Sequence, residues 1–256
     1  MPGKVYFASD FHLGMDARLP SSEREKKVVR WLDMVSQDAE EIYIVGDLFD
    51  YWFEYKHTVP KGFIRILGKL ASIRDQGIPV YFFTGNHDMW LFRYFEEELD
   101  IPTFRAPITK QIKGKNFFIG HGDGLGPGDR GYKLLKAVFA NPLCQWAFKW
   151  IHPDMGLPLM RFFSQTSRKY TGDEAPFTQP EKEWLVHFSN QHRKTNEIDF
   201  YIFGHRHLPI DYRVTSGNAR YINLGEWMHA CSYGVWDGNT FEIKFFESDI
   251  TQIYGM

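Results

Sequence analysis

Five short runs of the chain carry the side chains suited to chemistry: Asp10-x-His12, Gly46-Asp47-x-x-Asp50, Gly85-Asn86-His87-Asp88, Gly120-His121-Gly122-Asp123 and Gly204-His205-x-His207. Carboxylate, imidazole and amide oxygen without sulfur suit Mn, Fe(II) or Zn ions better than calcium or a structural zinc knot. A lone Asp-x-His or His-x-His pair is ordinarily a satisfied structural group. Five donor-bearing runs in one chain, each closing a strand-like segment, form a pattern. Asp47 is expected to be a carboxylate shared by two metal ions, with the other runs completing the two coordination spheres. Gly46, just before it, leaves room for the backbone to turn or a ligand to approach.

Donors spread over some two hundred positions need a scaffold to bring them together. Residues 5–9 read as a buried strand delivering Asp10 and His12. Residues 21–36 read as an amphipathic helix, with Val28, Val29, Trp31, Leu32 and Val35 near one side and Glu23, Arg24, Lys26 and Lys27 at a polar start. A strand over 42–45, a helix over 62–76 and a strand over 80–84 follow. This β-α-β-α-β order implies parallel strands with crossover helices. Beyond residue 100 the pattern changes, with an antiparallel pair over 109–113 and 116–120 turning at Gly114. Further strands are expected over 199–203, 220–223, 232–236 and 240–246. The fold class expected is α/β, with two sheets each flanked by helices.

The chain is read as one domain, 1–256, with a helical insertion over about 124–196. Helices are expected there over 132–151 and 157–169, rich in Leu, Phe and Trp. Arg130, Lys133, Lys136, Lys149, Arg161, Arg168 and Lys169 stand in this stretch against Asp154 alone. Two readings stand side by side: core-covering helices with a solvated basic face, or a lid whose apolar side accepts lipid and whose basic side attracts phosphate.

The totals narrow the field. A 43% hydrophobic and 17% aromatic composition supplies a packed core, and a net charge of −2 gives no footprint for nucleic acid. Cys144 and Cys231, the only cysteines, are expected to be buried thiols in a reducing compartment, and they exclude a thiolate zinc site. No apolar stretch approaches the roughly 18 residues of a spanning helix, and the first strand leaves no space for a signal peptide. A cytoplasmic protein is expected.

Taken together and in this order, the five runs resemble the calcineurin-like metallophosphoesterases over nearly the whole chain. The resemblance implies an α/β/β/α sandwich of two sheets and a pair of metal ions. It implies that Asp10, His12 and His207 hold one ion, that Asn86, His121 and His205 hold the other, and that Asp47 bridges them. His87 would then lie against the phosphate and donate a proton to the leaving oxygen, with Asp50 as its partner.

Within that family the chain is most similar to the UDP-2,3-diacylglucosamine pyrophosphohydrolases of lipid A biosynthesis. The similarity rests on Gly46-Asp47-Leu48-Phe49-Asp50-Tyr51-Trp52, on His121-Gly122-Asp123 followed by Asp129 and Tyr132, on basic aromatic-rich helices ending near Ser167-Arg168-Lys169, and on Leu224-Gly225-Glu226-Trp227. It implies a Mn-dependent hydrolase, with Fe2+ or Zn2+ as other candidate ions, that splits a UDP-linked acylated glucosamine into UMP and a lipid monophosphate. Asn86, His87, Asp129, Tyr132, Arg161, Ser167, Arg168 and Lys169 would bind that substrate. Peripheral contact with the cytoplasmic face of the inner membrane is implied as well. One position departs: those enzymes carry Gly-Asn-Arg-Asp where this chain has Gly-Asn-His-Asp. Two alternatives remain. One is another phosphoesterase on the same site, such as a nucleotide pyrophosphatase, a phosphodiesterase or a lipid phosphatase; the other is a metal-binding scaffold without catalysis.

Overall fold

Alternation along the first strand, β1 (Lys4–Ala8), sends Val5 and Phe7 to one face and Tyr6 and Ala8 to the other. Both faces are buried, because this strand lies inside a sheet covered on each side. In this computed structural model, which describes residues 3–127, 130–171 and 176–255, β1 pairs in parallel with β2 (Ala39–Val45), and β2 with β3 (Val80–Phe83). A two-residue strand, β4 (Thr103–Phe104), extends the sheet beyond β3. The second sheet is built on β5 (Ile108–Ile112), β6 (Lys115–Ile119), β7 (Phe200–Phe203), β8 (Pro209–Arg213) and β9 (Arg220–Leu224), in the order β5-β6-β7-β9-β8. The chain then returns to the first sheet as the hairpin β10 (Ser232–Trp236) and β11 (Phe241–Phe245), with β10 antiparallel to β1.

Between the sheets lies an apolar layer in which Val5, Phe7, Tyr43, Val45 and Phe83 meet Phe117, Ile119, Phe200, Ile202 and Ile222. Helices α1 (Ser21–Val35), α2 (Ile64–Asp75) and α3 (Tyr94–Leu99) cover the outer face of the first sheet through Val28, Trp31, Leu32, Ile66, Leu70 and Phe95. Leu185 and Val186 of the helix Trp184–Arg193 cover the second. The mixed α/β, two-sheet class expected from the sequence is the one observed.

Between β6 and β7 the chain forms α4 (Arg130–Ala140), α5 (Pro142–Lys149) and α6 (Pro153–Thr171), ahead of α7 (Trp184–Arg193). The single helix expected over 132–151 is broken at Asn141, whose side chain accepts the Leu143 N–H while Pro142 takes the first helical position. The next helix begins at Pro153 and runs through Pro158, earlier than expected. Phe139, Phe148, Leu157 and Met160 pack on Phe53, Tyr55 and Trp90.

The polar start expected for α1 is corrected. Arg24, Glu25 and Lys27 are all buried. Tertiary partners satisfy them: Glu25 accepts the Arg65 and Ile66 N–H groups at the start of α2, and Lys27 donates to the Glu247 carbonyl. Cys231 is buried as expected, whereas Cys144 is half-exposed on α5; both are free thiols.

Candidate metal centre

Strands β1, β2 and β3 are parallel, as are β6 and β7, so each set presents its carboxyl ends on one side. In open α/β sheets that is where ligands gather. Asp10 and His12 follow β1, Asp47 follows β2, Asn86 follows β3, His121 follows β6, and His205 and His207 follow β7.

These side chains meet in two overlapping groups. In the first, His12 Nε2 and His207 Nε2 lie 3.2 Å apart and His207 Nε2 is 3.2 Å from Asp10 Oδ1. In the second, Asn86 Oδ1 is 3.2 Å from His121 Nε2 and 3.0 Å from His205 Nδ1. Asp47 Oδ2 belongs to both, 3.8 Å from His12 Nε2 and 3.3 Å from His121 Nε2. Two donors ~2.1 Å from one ion and at right angles stand ~3.0 Å apart, so these separations fit cation ligands. Asp10-His12-His207, Asp10-Asp47-His121 and His12-Asp47-His87 each bring three donor atoms within 4.8 Å of one another.

The backbone accepts strain to make this arrangement. Ten non-glycine residues among those described have positive φ, and five of them are Asp10, His12, Asp47, His205 and His207. Each such conformation costs about 1–3 kcal/mol and persists only where its surroundings enforce it. The enforcement is visible: Asp10 N–H donates to the Gly46 carbonyl, His12 N–H to the Asp47 carbonyl and His205 N–H to Asp10 Oδ2, each within 3.1 Å. Trp227 N–H holds the Asp10 carbonyl at 3.0 Å, which gives the Leu224-Gly225-Glu226-Trp227 segment a place beneath the site. Glycine is required at Gly46, where φ is +87° and a β-carbon would lie 2.4 Å from His121 Nδ1. At Gly85 a β-carbon would lie 2.1 Å from Asp47 Oδ1.

Second contacts orient the rings. His121 Nδ1 faces the Val45 carbonyl at 2.9 Å, so Nδ1 carries the hydrogen and Nε2 turns its lone pair toward Asp47 and Asn86. The Asp50 carboxylate is nearer to His12 than to His87: its Oδ1 is 3.4 Å from His12 Nδ1 and 3.8 Å from His87 Nδ1. The contact between Asp50 and His87 runs instead through the main chain, with His87 Nδ1 at 2.9 Å from the Asp50 carbonyl. Asp88 ties two loops together, accepting from Gly85 N–H through Oδ1 and Leu48 N–H through Oδ2.

Electrostatics follow from burial and proximity. Burial opposes ionisation of Asp10 and Asp47, yet the facing imidazoles, His207 for Asp10 and His121 for Asp47, hold both carboxyls below their usual range. Burial and the Asp47 charge push the Asp88 carboxyl up to about 7. Burial and the neighbouring His121 push His205 down to about 4, and burial lowers His87. Against burial, the Asp47 charge and hydrogen bond, with Asp10, raise His121 well above its usual value, so ligation by its Nε2 would release a proton.

Two contributors carry little signal in the sequence. Arg24, 1% exposed, donates through Nε to the Phe11 carbonyl and through Nη2 to the His12 and Met15 carbonyls, clamping the loop that carries Asp10 and His12. Its only signal is an arginine one turn into an amphipathic helix. Ser164 on α6 is buried and places Oγ 3.0 Å from Asp50 Oδ2 and 3.3 Å from His87 Nδ1. Of the substrate-binding candidates, Asn86 and His87 lie in the cluster. Arg161 is exposed on α6 near Tyr51; burial raises the Tyr51 phenol and the Arg161 charge opposes that rise. Asp129, and the side chains of Tyr132, Ser167, Arg168 and Lys169, lie outside the described residues.

Comparison with known proteins agrees in fold. The chain is 37% identical over 263 residues to a UDP-2,3-diacylglucosamine hydrolase of Porphyromonas gingivalis, covering 96% of this chain and 99% of the relative. It is 26% identical over 227 residues to the enzyme of the same name from Aeromonas hydrophila, covering 86% of this chain and 89% of that one. The solved structure of hypothetical protein PH1004 from Pyrococcus horikoshii shares the fold, with a TM-score of 0.52 at 12% identity, covering 97% of this chain and 89% of that chain. The calcineurin-like phosphoesterase profile matches residues 3–209, and with the donor cluster described above it establishes that this chain belongs to the calcineurin-like phosphoesterase family.

Proposed function

We propose that this protein is a hydrolase that cleaves the pyrophosphate bond of UDP-2,3-diacylglucosamine, giving UMP and 2,3-diacylglucosamine 1-phosphate, with two Mn2+ ions. The observation that carries the reading is the position of Asp47, whose one carboxylate oxygen stands within 3.8 Å of His12 and 3.3 Å of His121, in a chain 37% identical to a hydrolase named for that substrate. Asp10, His12 and His207 would hold one ion, Asn86, His121 and His205 the other, and Asp47 both. When bound, such ions supply positive charge for the phosphoryl oxygens and an acidified water.

The chain's own residues do the rest. The Val45 carbonyl fixes His121 through Nδ1, while the Asp50 carboxylate lies 3.4 Å from His12 Nδ1 without a hydrogen bond to it. His87 has Nδ1 engaged by the Asp50 carbonyl, so Nε2 is the nitrogen that serves the leaving oxygen. Donation from Nε2 requires the charged ring; burial lowers the His87 pKa on balance, and Asp47, Asp50 and that carbonyl offset part of it.

The segment 124–196 is proposed as an insertion acting as a lid on a single domain. Support comes from the surface of α4 to α6, where Leu134, Leu143, Trp146, Trp150, Met155 and Phe162 are each more than half exposed. An apolar surface of that extent calls for an apolar occupant. Acyl chains of the substrate, drawn from the cytoplasmic face of the inner membrane, meet that need, with Arg161 exposed on the same helix as a cation for the diphosphate. No helix among the described residues is long and apolar enough to cross a membrane, so the attachment proposed is peripheral.

The test is Mn-dependent turnover of UDP-2,3-diacylglucosamine beside its deacylated analogue, with products identified. A strong preference for the acylated form, releasing UMP, supports the reading. Equal rates would assign the site to a general nucleotide pyrophosphatase or phosphodiesterase instead.

A further inference from the structure

A cavity of about 340 Å³ opens beside His121, and neither His87, Asp50 nor Ser164 lines it. Its walls come from the end of β3, the β4–β5 connection, the loop after β6 and one face of α4. Four features of those walls decide what it can hold. Phe83 and Phe104 stack with centroids 5.0 Å apart, and Phe104 is half-buried, so part of an aromatic face borders the space. Asp123 is buried and forms an ion pair with Lys136. Lys133, one turn earlier on the same helix, reaches the Gly126 carbonyl at 2.6 Å and adds a second cation to the rim. His121, among the proposed ligands of the second ion, forms the inner wall.

We propose that this cavity receives the nucleoside monophosphate half of the substrate, a nucleotide end that the metal centre alone does not recognise. The inference rests on the hydrolysis proposed above and deepens it. A diphosphate cleaved at its α-phosphorus has two arms there: the departing phosphate, held by the anhydride oxygen that breaks away, and the ribose, held by the ester oxygen that is retained. His87 and Ser164 mark the end where the departing oxygen takes its proton, next to α6. The retained arm leaves in another direction, and the cavity walled by His121 is the opening that can take it. Size agrees, because 340 Å³ is at the small end of ligand pockets and has room for a nucleoside but not for two acyl chains. Chemistry agrees as well. A carboxylate such as Asp123 accepts ribose hydroxyls, Lys133 and Lys136 attract the phosphate, and Phe104 offers a base a surface to stack on.

Ala106 is exposed at the rim, and Ala106→Trp narrows the cavity without touching the donor cluster. Inhibition by UMP and by inorganic phosphate is measured on Mn-dependent hydrolysis of bis(p-nitrophenyl) phosphate, and UMP binding is followed independently by ligand-detected NMR. UMP is expected to inhibit the wild type more strongly than phosphate does. Ala106→Trp is expected to weaken UMP about tenfold while leaving phosphate inhibition unchanged, and Lys136→Met, which keeps the cavity open, is expected to weaken UMP as well. Equal inhibition by UMP in wild type and both variants would overturn the proposal. Failure to turn over UDP-2,3-diacylglucosamine, with UMP still bound in a cavity-dependent way, would remove the lipid substrate and keep the nucleotide site. Turnover of that lipid with UMP insensitive to both variants would do the reverse.

Discussion

Ser164 Oγ donates to Asp50 Oδ2 at 3.0 Å, across 114 positions of sequence. Through that one hydroxyl, α6 touches the carboxylate that faces His12 and, at 3.3 Å, the Nδ1 of His87. Ser164→Ala removes the contact and leaves the helix intact. Turnover is expected to fall about three- to tenfold with KM changed less, the size of one lost hydrogen bond near the chemistry. A KM effect alone, with kcat preserved, would mean that the serine only seats the helix.

Asp50→Asn keeps the main-chain carbonyl facing His87 and removes the charge facing His12 Nδ1. Loss of a group that orients a ligating imidazole commonly weakens metal binding by about 10–100-fold. Titration of the metal-free protein with Mn2+ should show that loss in one of two sites. Unchanged affinity at both sites would place the carboxylate's role with His87 after all.

His87→Ala is expected to lower turnover by about 10²–10⁴, the range for a lost general acid. Metal content by elemental analysis should stay at the wild-type value. The His12-Asp47-His87 grouping makes this a sharp test, since loss of metal would make His87 a ligand.

Arg24→Lys keeps a cation but not the fork that spans the Phe11, His12 and Met15 carbonyls. Burial already lowers the Arg24 pKa, and a lysine there would satisfy fewer acceptors. A cost of about 2–4 kcal/mol is expected in urea unfolding, from buried carbonyls left without donors. Weaker Mn2+ binding should accompany it, because the same loop carries Asp10 and His12.

Glu226 and His229 set a stability window. Burial raises the Glu226 carboxyl, but its bonds to His229 and to the Ala230 and His229 N–H groups outweigh that and hold it low. Its contribution is therefore full above the unfolded value of about 4.3 and lost as pH falls through the folded one. The bond to Glu226 raises His229, so that contribution is full below about 6.5 and lost as pH rises through the folded value. Stability from the pair should peak between these limits. Thermal unfolding of Glu226→Gln across pH should lose both shoulders.

The donor positions were legible because buried strands such as 42–45 end abruptly in Gly and a polar side chain, a junction that periodicity exposes. Elements without such contrast were missed. Helix α3 is six residues long with three glutamates, and its N-terminus is capped from afar by Glu54, which accepts the Phe92 and Tyr94 N–H groups. Strand β8 opens on Pro209 at a sheet edge, where proline reads as a loop. The break at Asn141-Pro142 was overridden by apolar residues continuing on both sides. Arg24 and Ser164 could not be read at all, since each acts through partners that only the folded chain brings near.

The five left-handed residues at the centre change how its ligands should be dissected. Alanine resists that backbone region, so an alanine scan would confound a missing donor with a relaxed loop. Asparagine enters the region readily and offers a weak neutral oxygen. A scan in asparagine would hold the loops in place and report the electron-pair donation of each position on its own.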